Sequence, residues 1–221
     1  MPDVLTPGLR LPARDSRLPP DIPPDMQERL LQLAQAALAV AVDAANAPTL
    51  GRALETPLGG SEPAAVFVTL TEDGALRGCI GTLDPDRPLS EAVVASVINA
   101  ALGDPRFRPI TAGELPTVHI EISVLGPPVP IVDPDAFQPG VDGVIVERNG
   151  RRALLLPEVA TQFEWQASQM FDAVCRKAGL RTGAWHDQQT SLSSFRTIRF
   201  GGPAIPTDEA RPVRLRGPLA G

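Results

Sequence analysis

The sequence has few of the residues that build disulfide frameworks and metal sites. Its 221 residues include two cysteines, Cys79 and Cys175, and two histidines, His119 and His186. Two cysteines far apart in the chain exclude a disulfide framework, and no zinc-ligand spacing is present. No nucleotide or dinucleotide fingerprint is present either. We therefore expect neither a metal nor a cofactor, and free thiols favour a cytoplasmic location.

Three further absences narrow the class of protein. No apolar run approaches the 18 or so residues of a membrane span, which excludes an integral membrane protein. The start, Met1-Pro-Asp-Val-Leu-Thr-Pro7, lacks the basic and apolar regions of a secretory signal. The formal net charge of −6 gives no broad basic surface, so we expect no nucleic-acid partner.

Proline is abundant and marks the domain organisation. The chain has 25 prolines and 19 glycines, with dense proline stretches at both ends. Residues 1–24 and 203–221 lack apolar periodicity and are predicted to be irregular tails. Residues 25–202 form the predicted folded domain, because 43% hydrophobic residues suffice for a sizeable core.

Apolar periodicity predicts an α+β fold with a largely antiparallel sheet and flanking helices. Helices are predicted over 25–43, with Asp25 and Glu28 as a capping box, over 90–102, and over 158–178 with a break near Trp165. Thr111 and Glu114 have capping-box spacing in a short helical turn. Strands are predicted over 64–70, 75–83, 117–125 and 193–200, and a hairpin over 143–156 turns at Asn149-Gly150.

The segment Gly78-Cys-Ile-Gly81 carries the candidate chemistry. Its glycines either kink a strand or let a ligand approach the backbone, with Arg77 holding an anionic group. On a regular strand Arg77 shares a face with Cys79, and a neighbouring cation favours a reactive thiolate. His119 or Glu121 is a candidate base if the strands are adjacent. The alternative is that Cys79 is a small packing residue.

Several blocks resemble the AMMECR family. They are Leu76-Arg-Gly-Cys-Ile-Gly81 after Phe67-Val-Thr-Leu70, Asp104-Pro-Arg-Phe107, Ile120-Glu-Ile-Ser-Val-Leu125, Leu154-Leu-Leu-Pro157 and Cys175-Arg-Lys-Ala-Gly-Leu180. The resemblance covers about residues 25–202. It implies two unequal lobes with a cleft between them. It also implies the A component of a system with a Memo-type protein and a radical SAM protein (the AmmeMemoRadiSam system).

The resemblance implies site residues but no particular reaction. Family motif positions are Thr69, Arg77, Gly78, Cys79, Gly81, Asp104, Arg106, Glu121 and Ser123. His119 stands where many relatives carry an acidic or other residue, which argues against an essential base there.

Two hypotheses follow. In the first, the cleft is an enzyme site for a small molecule or peptide. Cys79 is its nucleophile or redox thiol, Arg77 is the activator and anion clamp, and Glu121 is an acid, base or orienting group. Thr69, Gly78, Gly81, Arg106, Ser123 and His119 then contact the ligand. In the second, the protein is a non-catalytic binding or adaptor component that works with the Memo-type and radical SAM partners, and Cys79 packs.

Overall fold

The computed structural model describes residues 15–43, 64–84 and 86–206. Within these ranges the chain divides into two compact units of unequal length. Among the described residues, unit I comprises 19–43, 64–84, 86–125 and 197–206, and unit II comprises 15–18 and 126–196. Most of both predicted tails, 1–14 and 207–221, lies outside the described residues. The predicted cleft between lobes stays a prediction.

The described part contains four α-helices and eight strands. The helices are α1 (Pro24–Val42), α2 (Leu89–Leu102), α3 (Pro157–Phe163) and α4 (Ala167–Lys177). The strands are β1 (Val66–Glu72), β2 (Ala75–Thr82), β3 (Val118–Leu125), β4 (Val129–Pro130), β5 (Gly143–Arg148), β6 (Arg151–Leu155), β7 (Ser191–Phe195) and β8 (Thr197–Pro203). Every recorded strand pair is antiparallel. The predicted α+β class with antiparallel sheets is confirmed.

Unit I is built on a four-stranded sheet, sheet I, with the order β2-β1-β3-β8. Its strands alternate, so that one face is apolar and packs with α1 and α2. That face is buried at Val66, Val68, Leu70, Ile120, Ile122 and Val124. The opposite face, which we call the polar face, carries Thr69, Thr71, Cys79, His119, Glu121 and Ser123. The alternation predicted for β3 is therefore confirmed.

Unit II contains a second four-stranded sheet, in the order β4-β7-β5-β6. The hairpin between β5 and β6 turns at Asn149 and Gly150, whose φ angles are 51° and 74°. Two left-handed residues are what the predicted type I′ turn requires. Helices α3 and α4 are separated at Glu164, which has a φ of 53°. The predicted break near Trp165 is confirmed.

The predicted strand over 193–200 is two strands in two sheets. β7 ends at Phe195 and pairs in unit II, whereas β8 begins at Thr197 and pairs in unit I. Arg196 separates them, because its side chain binds Asp142 and its backbone bonds Arg17 and Gly126 instead of continuing a ladder. The prediction was wrong here because the alternation in the sequence continues through Arg196. The contacts of Arg196 that end β7 are made with residues distant in the sequence.

The start of α1 also differs from its prediction. The N-cap is Pro23 and Pro24 is the first helical residue, so Asp25 lies inside the first turn and makes no capping box with Glu28. Proline suits the first helical position because its missing N–H has no partner there anyway. By contrast, the capping box of Thr111 and Glu114 is present.

Part of the predicted N-terminal tail is folded. Arg17 Nη1 donates to the buried Asp142 at 3.1 Å in unit II. Ile22 is buried in the core of unit I. No described helix is long and apolar enough to cross a membrane.

Candidate functional site

Cys79 lies in the middle of β2, half-buried on the polar face of sheet I. It pairs with Thr69 of β1, and the Thr69 Oγ1 hydroxyl donates to Cys79 Sγ at 3.3 Å. The backbone N–H and C=O of Cys79 both point away from β1, toward Asp104 and Arg106. In an antiparallel ladder such a pair is the close, non-hydrogen-bonded kind. This register brings the thiol and the hydroxyl into contact.

Asp104 and Arg106 clamp the outer edge of β2 at Cys79. The Cys79 N–H donates to Asp104 Oδ2 at 2.9 Å, and Arg106 Nη2 donates to the Cys79 carbonyl at 3.4 Å. The two side chains also form a fork, with Arg106 Nε and Nη2 donating to the two carboxylate oxygens at 2.9 and 2.7 Å. The clamp satisfies an edge-strand residue that would otherwise be unpaired.

The electrostatics of this clamp follow from its hydrogen bonds. Those from the Arg106 side chain, and then those from the Cys79 and Arg106 backbone, hold the pKa of Asp104 well below its ordinary value against the opposing effect of burial. The Asp104 hydrogen bond in turn raises the pKa of Arg106, with a smaller contribution from the charge of Cys79. Arg106 is therefore a cation held at the backbone carbonyl of Cys79.

The contacts of Arg77 differ from those predicted. The ladder pairs Leu70 with Gly78 but Thr71 with Leu76, so Arg77 is the extra residue of a β-bulge. Its Nε donates to Glu114 at 2.8 Å, and Nη1 and Nη2 donate to the carbonyls of Arg108 and Pro109 at 2.6 and 3.2 Å.

These contacts correct the prediction that Arg77 activates Cys79 and holds an anion. Most of the guanidinium donors are used to fix the segment after α2, and the side chain is 15% exposed. The Arg77 hydrogen bond is also the main cause that lowers the pKa of Glu114. The arginine that contacts Cys79 is Arg106, through the backbone carbonyl, whereas the sequence predicted only a ligand contact for it.

Glu121 lies in the same row of the sheet as Cys79, but two strands away. The row runs from Cys79 through Thr69 to Glu121 and Gly201. Two strand separations put the Cys79 and Glu121 backbones about 10 Å apart. Glu121 Oε2 instead lies 3.6 Å from Arg199 Nη1. Glu121 was predicted as a base for the thiol if β2 and β3 were adjacent, and this condition is not met because β1 lies between them.

Ser123 and His119 flank Glu121 on β3. Ser123 pairs with Phe67 and Arg199, and its Oγ is buried without a hydrogen-bond partner among the described residues. His119 is exposed and pairs with Thr71 and Pro203, one row beyond Glu121. Two strands and two residues separate it from Cys79, roughly 12 Å. A direct His119 base for the thiol is excluded by this register.

The two glycines of the motif serve packing. A Cβ on Gly78 would lie 2.1 Å from the Ala100 carbonyl oxygen of α2, so glycine lets the helix approach the sheet. A Cβ on Gly81 would lie 2.3 Å from the Val66 carbonyl oxygen and 2.4 Å from the Phe67 ring. Of the two alternatives left open for these glycines, this geometry favours the structural one.

Asp104 stands on a family motif position for which no particular role was predicted, and its carboxylate binds both Cys79 and Arg106. The sequence does contain one indication of this role. Asp104-Pro-Arg106 directly follows the end of α2, and a rigid loop at such a place can direct its side chains to the edge of a strand. Cys175, by contrast, is buried in unit II, and burial raises the pKa of its thiol, as suits a packing residue.

In the described part of the chain, neither a metal site nor a cavity coincides with the predicted site residues. No group of three His, Cys, Asp or Glu side chains there lies close enough to hold a metal ion. A cavity of about 320 Å³ lies in unit II and contains none of the predicted site residues. It is lined by Pro139, Ala160, Thr161, Glu164, Trp165 and Gln166.

Comparison with known proteins identifies the family. The AMMECR1 family model matches residues 31–200. A protein from Methanothermobacter thermautotrophicus is 46% identical over 141 residues, covering 61% of this chain and 73% of the relative. A protein from Aeropyrum pernix is 37% identical over 183 residues, covering 76% and 79%. The crystal structure of uncharacterized protein PH0010 from Pyrococcus horikoshii has a TM-score of 0.75 and 33% identity, covering 84% of this chain and 96% of that one. The chain belongs to the AMMECR1 family.

Proposed function

We propose that the protein is a thiol-dependent enzyme, or the substrate-handling component of an enzyme system, that acts through Cys79. The observation that carries this proposal is the hydrogen bond from Thr69 Oγ1 to Cys79 Sγ on the polar face. This hydroxyl holds the sulfur in one position on the polar face, as a positioned nucleophile requires. Cys79 is half-buried and stands outside the apolar cluster of unit I, unlike a packing cysteine.

The neighbouring residues support a ligand that lies across β1. Cys79 contacts one end of such a ligand and Glu121 the other, with Thr69 between them. Glu121 then orients or protonates a group distant from the thiol. Ser123 adds a buried hydroxyl whose hydrogen-bonding capacity is unused among the described residues. A small molecule or an extended peptide fits this spacing of functional groups.

The test is alkylation of Cys79 by iodoacetamide in a Cys175→Ser background. We expect labelling of the folded protein at a rate near that of an exposed thiol, and a decrease of about two- to fivefold in Thr69→Val, which keeps the shape but removes the donor. Thr71→Val, on the same strand and face but outside the Cys79 pair, is the matched control. Labelling that requires unfolding would overturn the proposal.

A second candidate is a non-catalytic binding component that works with a Memo-type protein and a radical SAM protein. It is favoured by one observation: among the described residues no carboxylate or imidazole is hydrogen-bonded to the Cys79 thiol. Affinity capture from the native host tests it. Recovery of both partners with the wild type and equally with Cys79→Ser would favour the binding component, whereas loss of cellular function in Cys79→Ser would favour the enzyme.

A further inference from the structure

The Arg106 guanidinium presents an unused edge next to Cys79. Its Nε and Nη2 face Asp104, and Nη2 also reaches the Cys79 carbonyl. Nη1 has no hydrogen-bond partner among the described residues. The Arg106 side chain is 54% exposed, whereas that of Asp104 is 2% exposed. The negative carboxylate of Asp104 is therefore buried, whereas the positive guanidinium of Arg106 is accessible to solvent.

The orientation of this cation is fixed before any ligand arrives. The fork with Asp104 holds the plane of the guanidinium, and the Arg106 backbone N–H donates to the same carboxylate at 3.1 Å. Asp104 accepts four N–H groups in total, which disperses its charge over the clamp. A preorganised arginine loses little side-chain entropy when it binds an anion.

The two other nearby arginines, Arg77 and Arg108, are not equivalent to Arg106. Arg77 is 15% exposed and directs its guanidinium to Glu114 and to two backbone carbonyls. Arg108 is exposed two residues beyond Arg106, and its carbonyl accepts from Arg77. Arg108 therefore serves as a matched control for a nearby positive charge, because it meets β2 through its backbone carbonyl, which a side-chain substitution keeps.

We propose that Arg106 selects ligands that carry a carboxylate next to the carbon attacked by Cys79, by donating from Nη1 to one carboxylate oxygen. This inference rests on the proposed function, because it assigns the substrate class of the same thiol. In the attack the Cys79 thiolate forms a bond to the ligand carbon, and the leaving group departs with the electron pair of the bond that breaks. The thiol proton goes to solvent.

Two reagents of matched size test the proposal in the Cys175→Ser protein. Iodoacetate and iodoacetamide both form a C–S bond and release iodide, and they differ in carrying a carboxylate or an amide. The ratio of their rates cancels thiol accessibility and thiolate fraction. We expect this ratio to exceed that of a short peptide of residues 75–82, to fall with added salt, and to fall about fivefold in Arg106→Gln. Arg108→Gln should leave the ratio unchanged.

The outcomes separate the two proposals. If iodoacetamide labels the folded protein but the wild-type ratio equals that of the peptide, the assignment of Arg106 is overturned and the reactive thiol stands. If neither reagent labels the folded protein, both are overturned. The wild-type ratio and its salt dependence need no variant, so the test holds even if Arg106→Gln folds poorly. Arg106→Lys, which keeps the charge without the fork, should retain part of the preference.

Discussion

Replacing Asp104 by asparagine tests whether one buried carboxylate holds the site strand in place. Oδ1 accepts from the Arg106 backbone and Nε, and Oδ2 accepts from Cys79 N–H and Arg106 Nη2. Asparagine keeps one acceptor oxygen, but its NH₂ group replaces the other oxygen and cannot accept from the two N–H donors there. A hydrogen bond to a charged group contributes about 1.5–3 kcal/mol. Because Arg106 is half-exposed and regains solvent, we expect Asp104→Asn to lower the free energy of unfolding by about 2–3 kcal/mol.

The pH dependence of this loss has a defined sign. The folded-state pKa of Asp104 lies below its unfolded value, so the carboxylate stabilises the fold above the unfolded pKa of about 4. That contribution disappears as the pH falls through the lower folded-state pKa. The difference between wild type and Asp104→Asn should therefore be full near pH 7 and shrink below about pH 4.

Urea unfolding followed by far-UV circular dichroism measures the loss, and hydrogen exchange of the Cys79 amide measures the local effect. We expect faster exchange of that amide in Asp104→Asn. Asp21→Asn, an exposed aspartate of unit I, is the control and should stay within about 0.5 kcal/mol of wild type. An Asp104→Asn protein with wild-type stability and unchanged exchange of the Cys79 amide would refute the clamp.

Three further substitutions test individual features of the fold. Gly78→Ala should lower stability by more than about 2 kcal/mol in a thermal melt, because its Cβ would lie 2.1 Å from the Ala100 oxygen; a wild-type melt would contradict that contact. Ser123→Ala should raise the free energy of unfolding in urea by about 1 kcal/mol, since it removes a buried unpaired hydroxyl; a lower free energy of unfolding would reveal a partner. Glu164→Gly should stabilise by about 0.5–1 kcal/mol because its φ is 53°, whereas Gln162→Gly inside α3 should destabilise.

Local signals predicted much of the fold. Strict alternation located β3, and the Asn149-Gly150 pair located a hairpin whose two turn residues both have positive φ. Gly179 follows α4 with a φ of 70°, the left-handed conformation in which glycine commonly ends a helix. Each of these features depends on a few adjacent residues, so the local sequence is enough to predict it.

Features that depend on distant partners were not predictable. The change of sheet at Arg196 depends on Asp142, 54 positions earlier in the chain. The task of Arg77 depends on Glu114, 37 positions later. Neither ion pair produces a periodic pattern in the sequence. At both positions the ion pair, and not the alternation of side chains, determines where the arginine lies. The same limit applies to Asp104, whose partner Cys79 precedes it by 25 positions.

The bulge at Arg77 explains why the sequence pattern assigned the wrong arginine to the thiol. A regular strand would put residues 77 and 79 on one face, but the extra residue breaks that phase and sends Arg77 toward Glu114. The edge of β2 is then free to receive Asp104 and Arg106. The two arginines therefore have separable effects: Arg77→Gln should lower stability without changing the preference for iodoacetate, and Arg106→Gln should change that preference. If Arg77→Gln altered the preference for iodoacetate while stability stayed constant, Arg77 would act on the ligand and would not serve as the structural residue that its contacts indicate.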